Sequence, residues 1–243
     1  MKFVVLVAGV GSRLRPLTND RPKCLVQVNG KSILERLLEQ AENTRLFAEA
    51  VLITGYRAEA VRQFAERWKT SHSLPVTLIH NERYDETNNG YSLWCAKDVL
   101  TSSFVLSDGD LTLDDEILQL IAQHETSALA IDRSARLDEE AMKISVSKEG
   151  HVNGLSKELP LHQAVGESIG MCRIDAVDIP KVISELDKLV ENQEWNEYYE
   201  RAFIELIQNG WQVDVCDIGG RAWVEIDDRS DLQRAEENFS TET

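Results

Sequence analysis

Two glycines, three arginines and a lysine share one short stretch directly behind an apolar run: Ala8-Gly9-Val10-Gly11-Ser12-Arg13-Leu14-Arg15-Pro16-Leu17-Thr18-Asn19-Asp20-Arg21-Pro22-Lys23-Cys24-Leu25. Glycine lets backbone N–H groups come close to an anion, the basic side chains supply charge, and Pro16 and Pro22 keep the stretch from closing into a helix. The chemistry this composition suits is phosphate binding. One further pair is placed for chemistry, the two carboxylates of Asp108-Gly109-Asp110 behind the apolar run Phe104-Val105-Leu106-Ser107.

Charge distribution supports the reading of the loop. The chain of 243 residues carries a net charge of -16, yet residues 1–31 hold six basic side chains against Asp20 alone, so this end is +5 and the rest is -21. A broadly acidic surface repels nucleic acid and anionic membranes, and neither is expected as a partner. Cys24, Cys95, Cys172 and Cys216 are far apart and form no C-x-x-C pair, so reduced thiols are expected rather than a metal knot. No apolar stretch is long enough for a membrane span, which leads to the expectation of a cytoplasmic protein.

The elements that must hold these residues can be read from periodicity. Phe3 to Val7 reads as a buried strand, so the Gly-rich loop leaves the carboxyl end of a strand, where open α/β sheets bind ligands. Leu25 to Val28 alternates like a short strand, and Ser32-Ile33-Leu34-Glu35 is a capping box before an apolar helical face. Ala50 to Thr54, a helix through Val61, Phe64 and Trp68, then Val76 to Ile79 continue the alternation, and a helix starts near Asp114. The expected fold class is α/β, a doubly wound, mostly parallel mixed sheet. Lys143 to Val146, Val152 to Leu155 and Ile169 to Ile174 are expected as a small antiparallel β insertion lying over that sheet. Helices are expected at 179–190 and 195–207, strands at 211–216 and 222–227, and a last helix capped by Ser230 with Gln233.

Two familiar phosphate loops do not fit. A dinucleotide fingerprint needs a small residue where Leu14 stands, and a P-loop needs glycine where Leu25 stands. The stretch instead resembles the signature of the nucleotidyltransferases that activate sugar phosphates and small alcohol phosphates, Ala-Gly-x-Gly-x-Arg-Leu-x-Pro-Leu-Thr followed by Pro-Lys-x-Leu, carried here from Ala8 through Leu25. Val7 stands where that family commonly has Ala. The resemblance continues in Asn29 to Leu34, Gly109-Asp110, Gly166 to Gly170 and Glu225 to Asp227.

This resemblance implies a single nucleotidyltransferase domain over 1–243, with a nucleotide-binding half (1–125) and an acceptor-binding half (126–243). It implies that Ala8, Gly9, Gly11 and Ser12 cradle a triphosphate, that Arg13 neutralises the departing pyrophosphate, and that Lys23 holds the reacting phosphates. Mg²⁺ is the implied cofactor, with Asp110 and Asp227 as ligands and Asp108 as a third ligand or a neighbouring nucleotide-binding group. Thr87-Asn88-Asn89-Gly90-Tyr91-Ser92-Leu93 is similar to the branch that uses CTP, so Asn88, Asn89 and Ser92 are expected at the nucleotide. The favoured acceptor is phosphocholine or 2-aminoethylphosphonate. Its expected site comprises Glu140 and Lys143 of the Met-Lys region, Glu167, and a face of Trp195, Tyr198 and Tyr199 at helical spacing. A homodimer is a possible assembly. The rival readings are a sugar-1-phosphate uridylyl- or thymidylyltransferase, an inositol-phosphate cytidylyltransferase, and a catalytically silent nucleotide-binding regulatory subunit.

Overall fold

The computed structural model describes residues 1–239. The chain begins with β1 (Lys2–Val7), β2 (Gln27–Val28), β3 (Lys31–Ser32), α1 (Ile33–Thr44), β4 (Glu49–Thr54), α2 (Ala58–Ser71) and β5 (Val76–His80). It continues with α3 (Asn89–Cys95), β6 (Phe104–Asp108), β7 (Leu111–Leu113), α4 (Asp115–Ala122), β8 (Ala128–Asp132), β9 (Lys143–Val146) and β10 (Val152–Ser156). β11 (Gly166–Ile174), α5 (Ile179–Glu191), α6 (Tyr199–Gln208), β12 (Asp214–Asp217), β13 (Trp223–Glu225) and α7 (Arg229–Asn238) complete it.

A nine-stranded sheet runs in the order β10-β9-β11-β6-β1-β4-β5, with β8 paired to β11 and β12. β1 lies parallel between β4 and β6, so its C-terminal end opens at the middle of the parallel part. Its side chains explain that central place. Phe3, Val5 and Val7 pack with α1, α2 and α4 on one face, while Val4 and Leu6 pack with α3, α5 and α6 on the other. A strand buried on both faces must be apolar at every position, which is why the run shows no alternation of polar residues.

The antiparallel segment is present but extends the main sheet in its plane instead of lying over it. β11 pairs antiparallel with β6 through Met171 to Ile174 and with β9 through Gly166 and Glu167. The hydrogen-bonding edge of β6 has to be satisfied, and β11 satisfies it. β8, which the sequence reading passed over, joins the same sheet through β11 and β12. The separate antiparallel pairs are small, β2 with β3 and β7 with β13.

Two helix starts differ from expectation. α7 is capped by Asp228, whose carboxylate accepts from the N–H groups of Ser230 and Asp231, so the cap lies two residues before Ser230. α6 begins at Tyr199 and not near Trp195, because Gln193 turns with φ +62° and residues 192–198 form a loop. Gly90 of α3 lets this loop come close: a Cβ there would stand 2.7 Å from the Glu197 carbonyl oxygen. No helix among the described residues is long and apolar enough to cross a membrane.

Candidate active site

The Gly-rich loop leaves β1 at Ala8, whose carbonyl accepts the Tyr56 N–H at 3.0 Å. Gly11 takes φ +61°, and a Cβ there would meet the Lys23 Cβ at 2.9 Å, so the loop folds back directly over the lysine. The Thr18 hydroxyl holds the Gly11 carbonyl at 2.8 Å, and the Tyr56 hydroxyl donates to the carbonyls of Thr18 and Asn19. The N–H groups of Gly9, Val10 and Gly11 meet no protein acceptor among the described residues, and Gly9, Ser12 and Arg13 are exposed. Free, fixed N–H groups at a strand end are the equipment of an anion site.

Opposite the loop, β6 and the β7–β13 pair bring in the carboxylates. Gly109 is required there, since a Cβ would stand 2.4 Å from the Leu6 carbonyl oxygen. The Ile226 N–H donates to the Asp110 carbonyl at 3.0 Å, which places Asp110 and Asp227 side by side although 117 positions separate them in the chain. Lys23 Nζ lies between them, 2.6 Å from Asp110 Oδ2 and 2.7 Å from Asp227 Oδ1, and Arg13 reaches Asp227 Oδ2 at 2.8 Å. Burial would lower the Lys23 pKa, but Asp110 and Asp227 outweigh it and hold the ammonium firmly charged. Burial likewise works to raise Asp227, and Lys23 and Arg13 more than reverse it, leaving this carboxyl below its ordinary range.

Sequence reasoning missed Glu225 as part of this group. Ligand atoms of Asp110, Glu225 and Asp227 lie within 4.8 Å of one another. Positions two apart on an extended segment project to the same side, so the spacing of Glu225 and Asp227 was the available signal. Burial and the charges of Asp110 and Asp227 raise the Glu225 carboxyl to about 8. Three hard oxygen donors, with Asp110 Oδ1 buried and unpartnered, fit a small divalent cation such as Mg²⁺.

A second acidic patch adjoins the first. Burial, then Asp110, Glu200 and Glu225, push Asp108 well up from the usual carboxylate range. Gly170 in β11 makes room for it, as a Cβ there would stand 2.6 Å from Asp108 Oδ2. Glu200 in the first turn of α6 has a buried Oε2 with no partner, and burial raises its carboxyl to about 7. Glu167 on β11 is raised to about 7 by burial and then by Asp138 and Asp132. The charge of Lys157, which the sequence reading also missed, acts on both Glu167 and Glu200.

The raised Glu200 pKa has a sign that can be measured. Between its ordinary 4.5 and about 7 the folded protein binds more protons than the unfolded chain, so stability is full below that window and falls as pH rises through it. Glu200→Gln removes the group. It is expected to stabilise the ligand-free protein at pH 8 by on the order of 2 kcal/mol in urea melts, with no gain at pH 4. A variant no more stable than wild type at pH 8 would show that Glu200 sits in an environment that tolerates its charge.

Several expected site residues are placed elsewhere or otherwise engaged. Asn88 caps α3 by accepting the Asn89 N–H, and its amide reaches the Asn196 carbonyl at 3.3 Å. Asn89 Oδ1 accepts the Tyr199 N–H at 3.0 Å, and Ser92 is buried and accepts from Asn81. The two asparagines fasten α3 to the loop before α6 and to its first residue, and Ser92 ties it to Asn81 behind β5. The aromatic face does not form, because Trp195 and Tyr198 precede the helix. The Trp195 ring is covered by the Arg83 guanidinium at 3.8 Å and Tyr199 is packed against Phe203, which leaves Tyr198 exposed alone. Lys143 is buried with its ammonium on the carbonyls of Asp138 and Ala141, and so serves its own loop. Glu140 is exposed and pairs with Lys157 at 3.1 Å.

A doubly wound sheet with an anion-binding loop facing a carboxylate cluster at its carboxyl edge defines an α/β enzyme that handles phosphates. The chain belongs to the nucleotidyl transferase family, whose sequence profile matches residues 2–140. It is 26% identical over 258 residues to the CTP:phosphoglutamine cytidylyltransferase of Campylobacter jejuni, covering 96% of this chain and 98% of the relative. It is 26% identical over 253 residues to the CMP-5'-(3-aminopropyl)phosphonate synthase of Streptomyces rubellomurinus, covering 99% of this chain and 39% of that longer protein. Among solved structures, the CTP:phosphocholine cytidylyltransferase of Streptococcus pneumoniae superposes with a TM-score of 0.78 at 25% identity, over 97% of each chain.

Proposed function

We propose that this chain is a CTP-dependent cytidylyltransferase whose acceptor is a small phosphate or phosphonate carrying a cationic group. The reaction class is carried by one observation, the convergence of Lys23, Arg13, Asp110 and Asp227 beside the free N–H groups of the loop. An oxygen of the acceptor attacks the α-phosphorus of CTP in line, the bond from that phosphorus to the bridging oxygen breaks, and pyrophosphate leaves with the electron pair. Both reactants are anions, so the barrier is largely charge repulsion and alignment. The backbone of Gly9 to Gly11 fixes the triphosphate, Arg13 meets charge developing on pyrophosphate, and Lys23 holds the attacking and transferring groups together. Mg²⁺ bound by Asp110, Glu225 and Asp227 would neutralise phosphate oxygens.

The cationic acceptor is supported by the wall of Asp108, Glu167 and Glu200, whose carboxyls burial raises although Lys23, Lys143 and Lys157 act in the opposite sense. CTP is supported by the activities of the three relatives, whereas Asn88, Asn89 and Ser92 are spent on packing and do not carry it. A pyrophosphate-release matrix tests both choices. CTP is expected to exceed UTP, dTTP, ATP and GTP by at least about tenfold. Phosphocholine or 2-aminoethylphosphonate should exceed inositol 1-phosphate and glucose 1-phosphate by a similar factor. Equal rates with UTP overturn the base assignment, and a preference for glucose 1-phosphate overturns the acceptor.

A further inference from the structure

The place where a divalent cation would sit already holds a positive charge. Asp110 Oδ2 and Asp227 Oδ1 both face Lys23 Nζ, at 2.6 and 2.7 Å, and Asp227 Oδ2 is taken by Arg13 at 2.8 Å. Of the two aspartates, Asp110 Oδ1 alone has no partner. A small divalent ion needs oxygens at about 2.0–2.1 Å. It cannot share Oδ2 of Asp110 and Oδ1 of Asp227 with an ammonium already in hydrogen-bond contact, because the two cations would be forced against each other.

We propose that Lys23 is the resident counterion of the Asp110 and Asp227 carboxylates, and that a bound triphosphate draws it away and opens the metal site. The inference rests on the nucleotidyltransferase reading of the site and assigns Lys23 a second task within it. The stem of Lys23 is pinned where Gly11 crosses it, so its head can exchange partners without moving the backbone. The free N–H groups at Gly9, Val10 and Gly11 place an incoming polyphosphate beside that stem. A polyphosphate offers the ammonium more negative charge than two carboxylates do, and the carboxylates left behind then need a cation. Metal and nucleotide therefore bind with positive coupling, and the coupling is reciprocal. Without either ligand, Lys23 offsets the mutual repulsion of Asp110 and Asp227 in a partly buried site.

Mn²⁺ binding to the nucleotide-free protein tests this, by electron paramagnetic resonance and by calorimetry. Lys23→Met is expected to bind Mn²⁺ at least about tenfold more tightly than wild type. Arg13→Met removes an equal charge from the same carboxylate cluster at a well-exposed position, 69% accessible, and should change the affinity less than threefold. Equal affinity in wild type and Lys23→Met overturns the proposal. So does an Arg13→Met gain as large as that of Lys23→Met, which would be a general charge effect. Should Lys23→Met fail to fold, wild-type protein labelled at lysine side chains gives the same decision by NMR. The Lys23 signal is then expected to shift with CTP in EDTA and to stay in place with Mg²⁺ alone, and the reverse overturns the proposal. None of these measurements needs turnover. Inactivity with every acceptor would defeat the functional reading while leaving the Mn²⁺ comparison valid, and equal Mn²⁺ affinities in a fully active enzyme would defeat this inference alone.

Discussion

Asp110→Asn is expected to lower CTP-dependent pyrophosphate release by at least about a thousandfold, some 4 kcal/mol of barrier. The replacement keeps the shape of the side chain and removes one carboxylate oxygen charge from the set formed with Glu225 and Asp227. Its effect on folding should be modest: the pair with Lys23 is weakened, but Asp227 still holds that ammonium, the repulsion of Asp108 and Glu225 is relieved, and the Asp110 carbonyl still accepts the Ile226 N–H. Loss of a ligand charge weakens metal affinity as well as the chemical step, so a partial recovery at high Mn²⁺ is part of the expected result. The KM for the acceptor should hold nearly constant, as the wall of Glu167 and Glu200 is intact. Activity within tenfold of wild type, in protein of unchanged thermal midpoint, would remove Asp110 from the reaction. Asp227→Asn should behave in the same direction, with an added loss of the Arg13 contact.

How much of this was legible beforehand depends on whether the signal is local. The loop from Ala8 to Leu25 is read from consecutive residues, since glycine, proline and basic side chains act on the backbone beside them. The buried strands β1, β4 and β6 are legible for the same reason, as an apolar run on both faces leaves few alternatives. The partner of β6 is a tertiary choice. β11 could lie over the sheet or beside it with the same sequence, and the unsatisfied edge of β6 decides. The aromatic run from Trp195 to Tyr199 shows the opposite failure. Helical spacing suggested one face, but the turn at Gln193 and the close approach of Gly90 hold residues 195–198 out of the helix. The same contact diverts Asn88 and Asn89 from a ligand-facing role to capping and packing. Glu225 was within reach of a local rule. Glu200 and Lys157 were not, because their relation to Asp108 and Glu167 exists only once α6 packs on β10 and β10 joins β11 through β9.

Lys23→Met should show a loss of turnover together with a loss of stability that depends on both pH and metal. Turnover is expected to fall by at least about a thousandfold, chiefly in kcat, since Lys23 is the cation nearest both reacting phosphates in the proposed arrangement. Stability falls because the ammonium is 13% exposed and bridges two carboxylates, and breaking a buried pair by removing one partner costs about 3–5 kcal/mol. The half-exposed rim and Arg13 should reduce that cost to the lower end. The pH dependence has a definite sign. Asp227 is held below its ordinary pKa of 3.8, so its pairing contributes stability above that value and loses it as pH falls through the folded pKa. The gap between wild type and variant should accordingly be widest at neutral pH and close toward pH 3. Millimolar Mg²⁺ should narrow the gap at pH 8, because the vacated carboxylates then take the divalent ion. Lys23→Arg separates the two roles. A guanidinium restores charge balance and most of the stability, but its planar fork cannot reproduce a point charge 2.6 and 2.7 Å from two oxygens, so turnover should stay low. Full activity in Lys23→Arg would mean that the site needs positive charge alone at this position, and recovery of neither property would mean that the lysine acts through packing.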